Sequence, residues 1–144
     1  MGIRRTIRKD NLRRKQWATA CPLTAALQVV GGRWSLITLY WLAQRSERFN
    51  DLRRRMPAIS QKVLAATLRD LEREGMITRT VIPAVPPKVS YAISDYGRTV
   101  CPLIHATRQW GRRHLEWRAG HIQSDIREDD RRTPRGSRQG GTCG

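Results

Sequence analysis

The feature that most constrains the fold is a segment with its own start and stop signals for a helix. Ser60 is a favourable N-cap residue, Gly75 is a favourable helix terminator, and residues 61–74 between them are amphipathic. At about 100° per residue, Leu64, Thr67, Leu68 and Leu71 fall on one side, whereas Lys62, Ala66, Arg69 and Arg73 fall on the other with Ala65 at its edge. The segment therefore predicts a helix that packs on one side and is cationic on the other.

Shorter helices are predicted before this segment. Residues 22–30 have apolar positions spaced three or four apart and a proline at the first helical position. Residues 33–43 are apolar on almost every side, which is typical of a helix at the centre of a core. A short basic helix follows, with Asn50 as its expected N-cap, and it continues through Met56 until Pro57 breaks it.

A β-hairpin and a last helix are predicted after the capped helix. Apolar and polar residues alternate over 77–81 and again over 89–93, and prolines stiffen the connection between the two runs. Ser94 or Asp95 is the expected N-cap of a helix that runs to about Trp117. The sequence thus predicts a mainly α-helical fold with a small β-hairpin.

Positive charge dominates the chain. Its 144 residues include 28 Lys plus Arg and 12 Asp plus Glu, which gives a formal net charge of +16. This excess indicates an anionic partner, and nucleic acid is the commonest one. Residues 1–16 are interpreted as a basic arm, residues 17–118 as one folded domain and residues 119–144 as a disordered polar tail. A chain of this length excludes a large multidomain enzyme.

The order of the elements is that of a winged helix-turn-helix domain, whose capped helix enters the major groove of double-stranded DNA. Long cations reach phosphates and guanine, and small side chains let the backbone approach base edges. The predicted DNA-binding residues are Ser60, Gln61, Lys62, Ala65, Ala66, Arg69 and Arg73 of the capped helix, Arg53 and Arg54 of the short helix, and Lys88 of the hairpin. The alternative interpretation of the helix is a merely solvated amphipathic face.

A single helix-turn-helix contacts only a few base pairs, so the function requires two copies. Their recognition helices must lie about 34–36 Å apart to enter successive major grooves. We therefore expect a homodimer formed through the N-terminal and C-terminal helices of the domain. The dimerisation candidates are Leu103, Ile104, Trp110 and Trp117. The alternative is that this apolar stripe only completes the core of the monomer.

The cysteines and histidines do not form a recognisable metal site. Cys21, Cys101 and Cys143 lack the spacing of a zinc site or a disulfide framework, and the three histidines lack further ligands nearby in sequence. We expect no metal and no cofactor. Cys21 stands at the start of the first helix, where the helix dipole and the basic arm favour its thiolate. It is therefore either a reactive thiol or a small core residue.

Several motifs occur with the order and spacing of one known family. They are Cys21-Pro22, Gly31-Gly32-Arg33-Trp34, Arg48-Phe49-Asn50-Asp51-Leu52-Arg53, Ile59 to Leu64, Leu68 to Gly75, Pro83 to Val89, Tyr91, and Gly97 to Trp110-Gly111. Together they resemble the HxlR-type winged helix-turn-helix transcriptional regulators, which are similar to the MarR group. The resemblance implies a homodimer on a pseudo-palindromic operator, acting as a repressor or an activator.

The resemblance also concerns the cysteines and the hairpin. Some family members respond to oxidants or quinones through a cysteine at the place of Cys21, and a second cysteine sometimes forms an intersubunit bridge. Cys101 is the candidate for that second cysteine, and the effector itself is unidentified. The hairpin departs from the family at Ile82, Ala84 and Ser90, where an aromatic and acidic residues are usual.

Other functions fit the sequence less well. A small basic RNA-binding protein is the alternative, but it requires exposed aromatic rings, whereas Trp34, Tyr40, Trp41 and Phe49 fall on predicted core faces. A thiol-dependent enzyme ranks third because no base is visible for Cys21. The chain has no run of about 18 apolar residues and no cleavable leader, so we expect a cytoplasmic protein that is neither an enzyme nor membrane-bound.

Overall fold

The computed structural model of the protein describes the backbone of residues 20–132 and the side chains of residues 20–123. The chain divides into two compact units after Ile104. This division falls inside the segment 17–118 that the sequence predicts as one domain. The predicted basic arm and Cys143 lie outside the described residues.

In the part of the chain that the structure describes, helix α1 (Pro22–Val30) is followed by helix α2 (Ser35–Gln44), and a glycine pair stands between them. Proline occupies the start of α1, which confirms the predicted helix start. Helix α2 buries Thr38, Leu39 and Leu42 almost completely, so it lies at the centre of the core as predicted.

A two-residue strand, β1 (Glu47–Arg48), comes directly before helix α3 (Phe49–Arg55). The prediction that Asn50 caps α3 is wrong, because the helix begins at Phe49, two residues earlier than predicted, and Arg48 is its N-cap. Arg48 is extended because it pairs with Ser90 in the sheet, and Phe49 packs against the core. The chain therefore enters the helix straight from the strand.

Helix α4 (Gln61–Arg73) is the predicted capped helix. The Ser60 hydroxyl oxygen accepts a hydrogen bond of 3.2 Å from the backbone N–H of Val63. Gly75 has a φ of +71°, a left-handed conformation that glycine adopts without steric cost, and it ends the helix. Three leucines, Leu64, Leu68 and Leu71, are buried on the predicted apolar side.

Strands β2 (Ile77–Ile82) and β3 (Lys88–Ile93) form the predicted hairpin, in which Ile77 lies opposite Ile93 and Ile82 opposite Lys88. Strand β1 adds a third antiparallel strand, so the sheet order is β1-β3-β2. The sequence did not predict β1, because a two-residue strand is too short to show alternation.

Two helices follow β3, where the sequence predicts one. They are α5 (Asp95–Arg98) and α6 (Cys101–Arg132). Ser94 is the N-cap of α5, and its hydroxyl accepts a hydrogen bond from the Gly97 N–H and donates one to the Gly75 carbonyl oxygen. Gly97 lies so close to Met76 that a Cβ atom would collide with the Met76 carbonyl oxygen. Helix α5 therefore packs directly on the turn after α4.

Helix α6 extends beyond Trp117, where we expected it to end. Residues 119–132, which we predicted as part of a disordered tail, are helical in the structure. The chain has no proline between Pro102, which lies in the first turn of α6, and Pro134, so no residue in that interval lacks a backbone N–H.

One hydrophobic cluster forms the core of the first unit. Its buried members are Val30, Leu39, Leu42, Leu52, Met56, Ile59, Leu64, Leu68, Leu71, Met76, Ile77, Ile93, Val100 and Ile104. Ile104 was predicted at the dimer interface, but it is only 7% exposed, because the start of α6 packs onto the core. Among the described residues, no helix is long and apolar enough to cross a membrane.

Candidate nucleic-acid interface

The outer face of α4 carries the side chains that the sequence selected for DNA binding. Ser60, Gln61, Lys62, Arg69 and Arg73 are exposed, and Ala65 and Ala66 are half-buried. The buried leucines on the opposite side fix the rotation of the helix about its axis. A cationic surface with small residues inside it therefore points away from the core.

The cations of this face differ in their local partners. The Arg73 Nη2 atom lies 3.2 Å from Asp70 Oδ1, one turn earlier on the same helix. Within the described part of the chain, Lys62 and Arg69 take part in no ion pair. These two side chains can bind a polyanion without first breaking an ion pair. Arg73 must break its ion pair with Asp70, but the free energy of a solvent-exposed pair is small.

Helix α3 adds two exposed arginines, as predicted. Arg54 forms an ion pair with Asp51, and the hydrogen bond from Arg54 lowers the pKa of the Asp51 carboxyl. Arg53 is exposed and takes part in no ion pair in the part of the chain that the structure describes. Arg53 is therefore the more available of the two arginines for an external phosphate.

A buried carboxylate lies behind α3, and the sequence analysis did not identify it. The Glu47 side chain is only 5% exposed, and its Oε1 atom accepts hydrogen bonds of 2.8 Å from the Nε atoms of both Arg45 and Arg55. The hydrogen bond from Arg45 lowers the pKa of Glu47, the bond from Arg55 adds to this effect, and burial opposes both. The Arg55 guanidinium also lies 4.9 Å from the Trp41 ring centroid.

This cluster holds the first helix of the helix-turn-helix in place. Arg45 follows α2, Glu47 belongs to β1, and Arg55 is the last residue of α3, so one carboxylate connects three elements. The available sequence signal was an acid directly beside arginines, with Arg45 and Arg48 on either side of Glu47. Its burial follows from the pairing of β1 with β3, which the sequence did not reveal.

The hairpin presents cations without carboxylates. Lys88 is exposed, as expected, and Arg79 is exposed on β2. The sequence between Gly75 and Ser94 contains no Asp or Glu, since Ala84 and Ser90 stand where acidic residues are usual in the resembled family. This hairpin can therefore approach a phosphate backbone without carboxylates of its own to repel it.

The two described cysteines are half-buried free thiols. Cys21 is the N-cap residue of α1. The hydrogen bond with the Thr24 side chain lowers the pKa of the Cys21 thiol, and the backbone N–H groups of Thr24 and Leu23 lower it further, against an opposing effect of burial. The direction agrees with the sequence interpretation, and the Thr24 side chain is its largest cause.

Apolar side chains are exposed in both units. In the first unit, Leu23 and Leu27 of α1 are 67% and 55% exposed, and Leu103 is 41% exposed.

In the second unit, Trp110, His114, Trp117 and His121 of α6 form an aromatic stripe. Successive ring centroids along this stripe lie 5.1, 6.0 and 3.9 Å apart. Trp110 and Trp117 are 65% and 57% exposed, so the protomer leaves most of their surface in water.

Comparisons with known proteins agree on one family. A model described as HxlR-like helix-turn-helix matches residues 29–119 of this chain. The uncharacterized HTH-type transcriptional regulator YdeP of Bacillus subtilis is 42% identical over 96 residues, which cover 67% of this chain and 75% of YdeP.

Solved structures of other regulators are similar to this fold. The redox regulator HypR in its oxidized form has a TM-score of 0.62 and 40% identity, covering 64% of this chain and 95% of that one. The reduced form of the transcriptional regulator YodB from B. subtilis has a TM-score of 0.56 and 31% identity, covering 62% of this chain and 89% of that one.

Proposed function

We propose that this member of the HxlR-like helix-turn-helix family binds a pseudo-palindromic DNA operator as a homodimer through α4. Membership of the family makes the chain a transcriptional regulator and not an enzyme. The observation that carries the proposal is the exposed cationic face of α4, where Lys62 and Arg69 are not engaged in ion pairs with described residues. Regulation takes the form of repression or activation at that operator, and the cytoplasm is the expected setting.

Each element has a distinct role in this proposal. Helix α4 enters the major groove, where Lys62 and Arg69 bind guanine or phosphate, Gln61 binds adenine, and the half-buried alanines allow close approach. Arg53 and Arg54 of α3 and Lys88 of the hairpin bind phosphates, which sets the position of α4 without selecting a sequence.

A second copy of the chain supplies the other recognition helix. Exposed apolar residues on α1 and α6, namely Leu23, Leu27, Leu103, Trp110 and Trp117, support an interface formed by the first and last helices. Large apolar side chains exposed in this way are typical of protein interaction sites. Ile104 is omitted from this interface because it is buried in the protomer.

Oxidants control this regulator through Cys21. Its lowered pKa increases the thiolate fraction, and the thiolate is the reactive form. The similarity to HypR, which is described as a redox regulator, supports the same conclusion. Cys101 provides the second thiol of an intersubunit disulfide.

The DNA-binding role is tested by gel shifts with the upstream region of the protein's own gene, random duplex DNA and single-stranded RNA. We expect Lys62→Ala or Arg69→Ala to weaken operator binding by about 1–3 kcal/mol where the side chain binds a base, or to lower the salt slope by about one unit where it binds phosphate. Arg98→Ala on α5 is the control, because Arg98 is an exposed arginine outside this face. A preference for RNA, or equal effects of all three substitutions, contradicts the assignment.

The oxidant response is tested with diamide, which takes up two hydrogen atoms as two thiols form a disulfide. We expect diamide to change operator affinity and to produce a covalent dimer in the unmodified protein. Cys21→Ser and Cys101→Ser should each abolish both effects, because the proposed disulfide requires both thiols. Unchanged behaviour of Cys21→Ser contradicts the proposal.

A further inference from the structure

A groove in the first unit takes no part in the DNA contacts proposed above, and of its lining residues only Leu103 is named in the proposed dimer interface. It has a volume of about 560 Å³ and lies between α1, the end of α4, and the segment from α5 to the start of α6. Its walls are mostly apolar and include Val29, Val30, Met76 and Val100. This volume falls within the range of about 300–1,000 Å³ that is usual for small-molecule sites.

One charged residue, Glu74, lines this groove. Its side chain is exposed, and it forms no ion pair with any described residue. Glu74 is the C-cap of α4, where the last carbonyl groups of a helix carry a partial negative charge. The carboxylate and the helix end therefore favour a cation at the same place, although the chain as a whole has a large positive charge.

An aromatic ring also lines the groove. Tyr96 is 65% exposed, so its ring is available to a ligand. Aromatic rings attract organic cations through the negative potential of their faces. A carboxylate, an aromatic ring and apolar walls form the combination that recognises a cation with an apolar body. A bare metal ion is a poor occupant, since it requires several oxygen ligands and Glu74 is the only carboxylate among the lining residues.

We propose that this groove binds a compact apolar organic cation, such as a quaternary ammonium or phosphonium compound. The apolar walls remove the body of the ligand from water, Glu74 neutralises its charge and Tyr96 contacts it. This site is separate from the outer face of α4, so the proposal does not depend on DNA binding.

The test is calorimetric titration of the full chain with tetraphenylphosphonium, with tetraphenylborate as an anion of the same shape. We expect one phosphonium site per chain. Glu74→Gln should weaken phosphonium binding about two- to fivefold, because it removes an exposed charge and keeps the shape. Glu72→Gln is the matched control, since it removes an equal charge from the same helix outside the groove, and it should leave the affinity unchanged.

Two substitutions of Tyr96 test the role of the ring. Tyr96→Phe should retain phosphonium affinity, and Tyr96→Leu should reduce it several-fold. Absence of phosphonium binding, or equal losses for Glu74→Gln and Glu72→Gln, overturns the proposal. Phosphonium affinity that falls as protein concentration rises also overturns it, because a second copy of the chain then occupies the groove.

The two proposals fail separately. Lys62→Ala and Arg69→Ala, which impair the proposed DNA contacts, should bind the phosphonium as tightly as the unmodified protein. A protein that binds the phosphonium and no DNA contradicts the DNA-binding function alone. A protein that binds DNA and no phosphonium contradicts the groove assignment alone.

Discussion

Helix α4 and the part of α6 after Ile104 differ in what becomes of their apolar residues within the protomer. Helix α4 buries its leucines in the core and directs its cations to solvent. The second unit leaves Trp110 and Trp117 more than half exposed. Removal of apolar surface from water is stabilising, so the buried leucines stabilise α4 within one protomer. The aromatic stripe contributes in the same way only when a second surface covers it. In the proposed function, α4 therefore serves recognition and α6 serves association.

The largest expected effect follows from truncating the buried side of α4. Leu68 is 1% exposed, so Leu68→Ala should lower the free energy of unfolding by about 2–5 kcal/mol through lost burial and a cavity. Urea denaturation followed by circular dichroism measures this loss, which should be present at every protein concentration. Val63→Ala is the control on the same helix, because Val63 is 41% exposed. Equal losses for the two variants contradict the assignment of the buried side.

A somewhat smaller effect is expected from the aromatic stripe. Trp117→Ala should weaken dimerisation by about 2–4 kcal/mol, as is typical of a central interface tryptophan. Sedimentation equilibrium measures this change, and Arg118→Ala is the neighbouring control. The melting temperature of the unmodified protein should rise with protein concentration, because association stabilises the folded state, and that of the Trp117 variant should rise less. A monomeric unmodified protein at all concentrations contradicts the interface.

The smallest effect concerns the support behind the recognition surface. Glu47→Gln should cost about 1–2 kcal/mol of unfolding free energy at pH 7, because it weakens hydrogen bonds to two charged arginines. The folded-state pKa of Glu47 lies below its ordinary value of 4.5, so this contribution is present above pH 4.5 and is lost as the pH falls through the folded-state pKa. Urea denaturation should therefore show the difference between the variant and the unmodified protein shrinking in acid. A difference independent of pH contradicts the role of the Glu47 charge.

Local signals in the sequence were sufficient for α4 and the hairpin. Ser60 and Gly75 act within one turn of the helix whose ends they mark. The alternation of apolar and polar residues marks the two hairpin strands. Strand β1 and the break between α5 and α6 depend on contacts between distant residues. Gly97 can approach Met76 only in the folded chain, so the apolar periodicity before and after it predicted one continuous helix.

The candidate site shows the same division. The cationic face of α4 follows from helical geometry alone, and the exposure of its side chains agrees with that prediction. Ile104 lies on the predicted apolar stripe, but the packing of the first turn of α6 places it in the core. The role of Glu47 depends on Arg45 and Arg55 meeting at one oxygen atom, and sequence spacing does not show such a meeting.

The sheet order β1-β3-β2 has a consequence for solubility. Strand β2 lies at an edge, and among the described strands it pairs only with β3, so its outer backbone groups can template the addition of a foreign strand. Val81 and Ile82 on this strand are about half exposed, which adds to that tendency. Arg79 within the strand and Pro83 after it oppose aggregation by charge and by the missing N–H. Resistance to self-aggregation therefore depends on two residues that contribute nothing to the core.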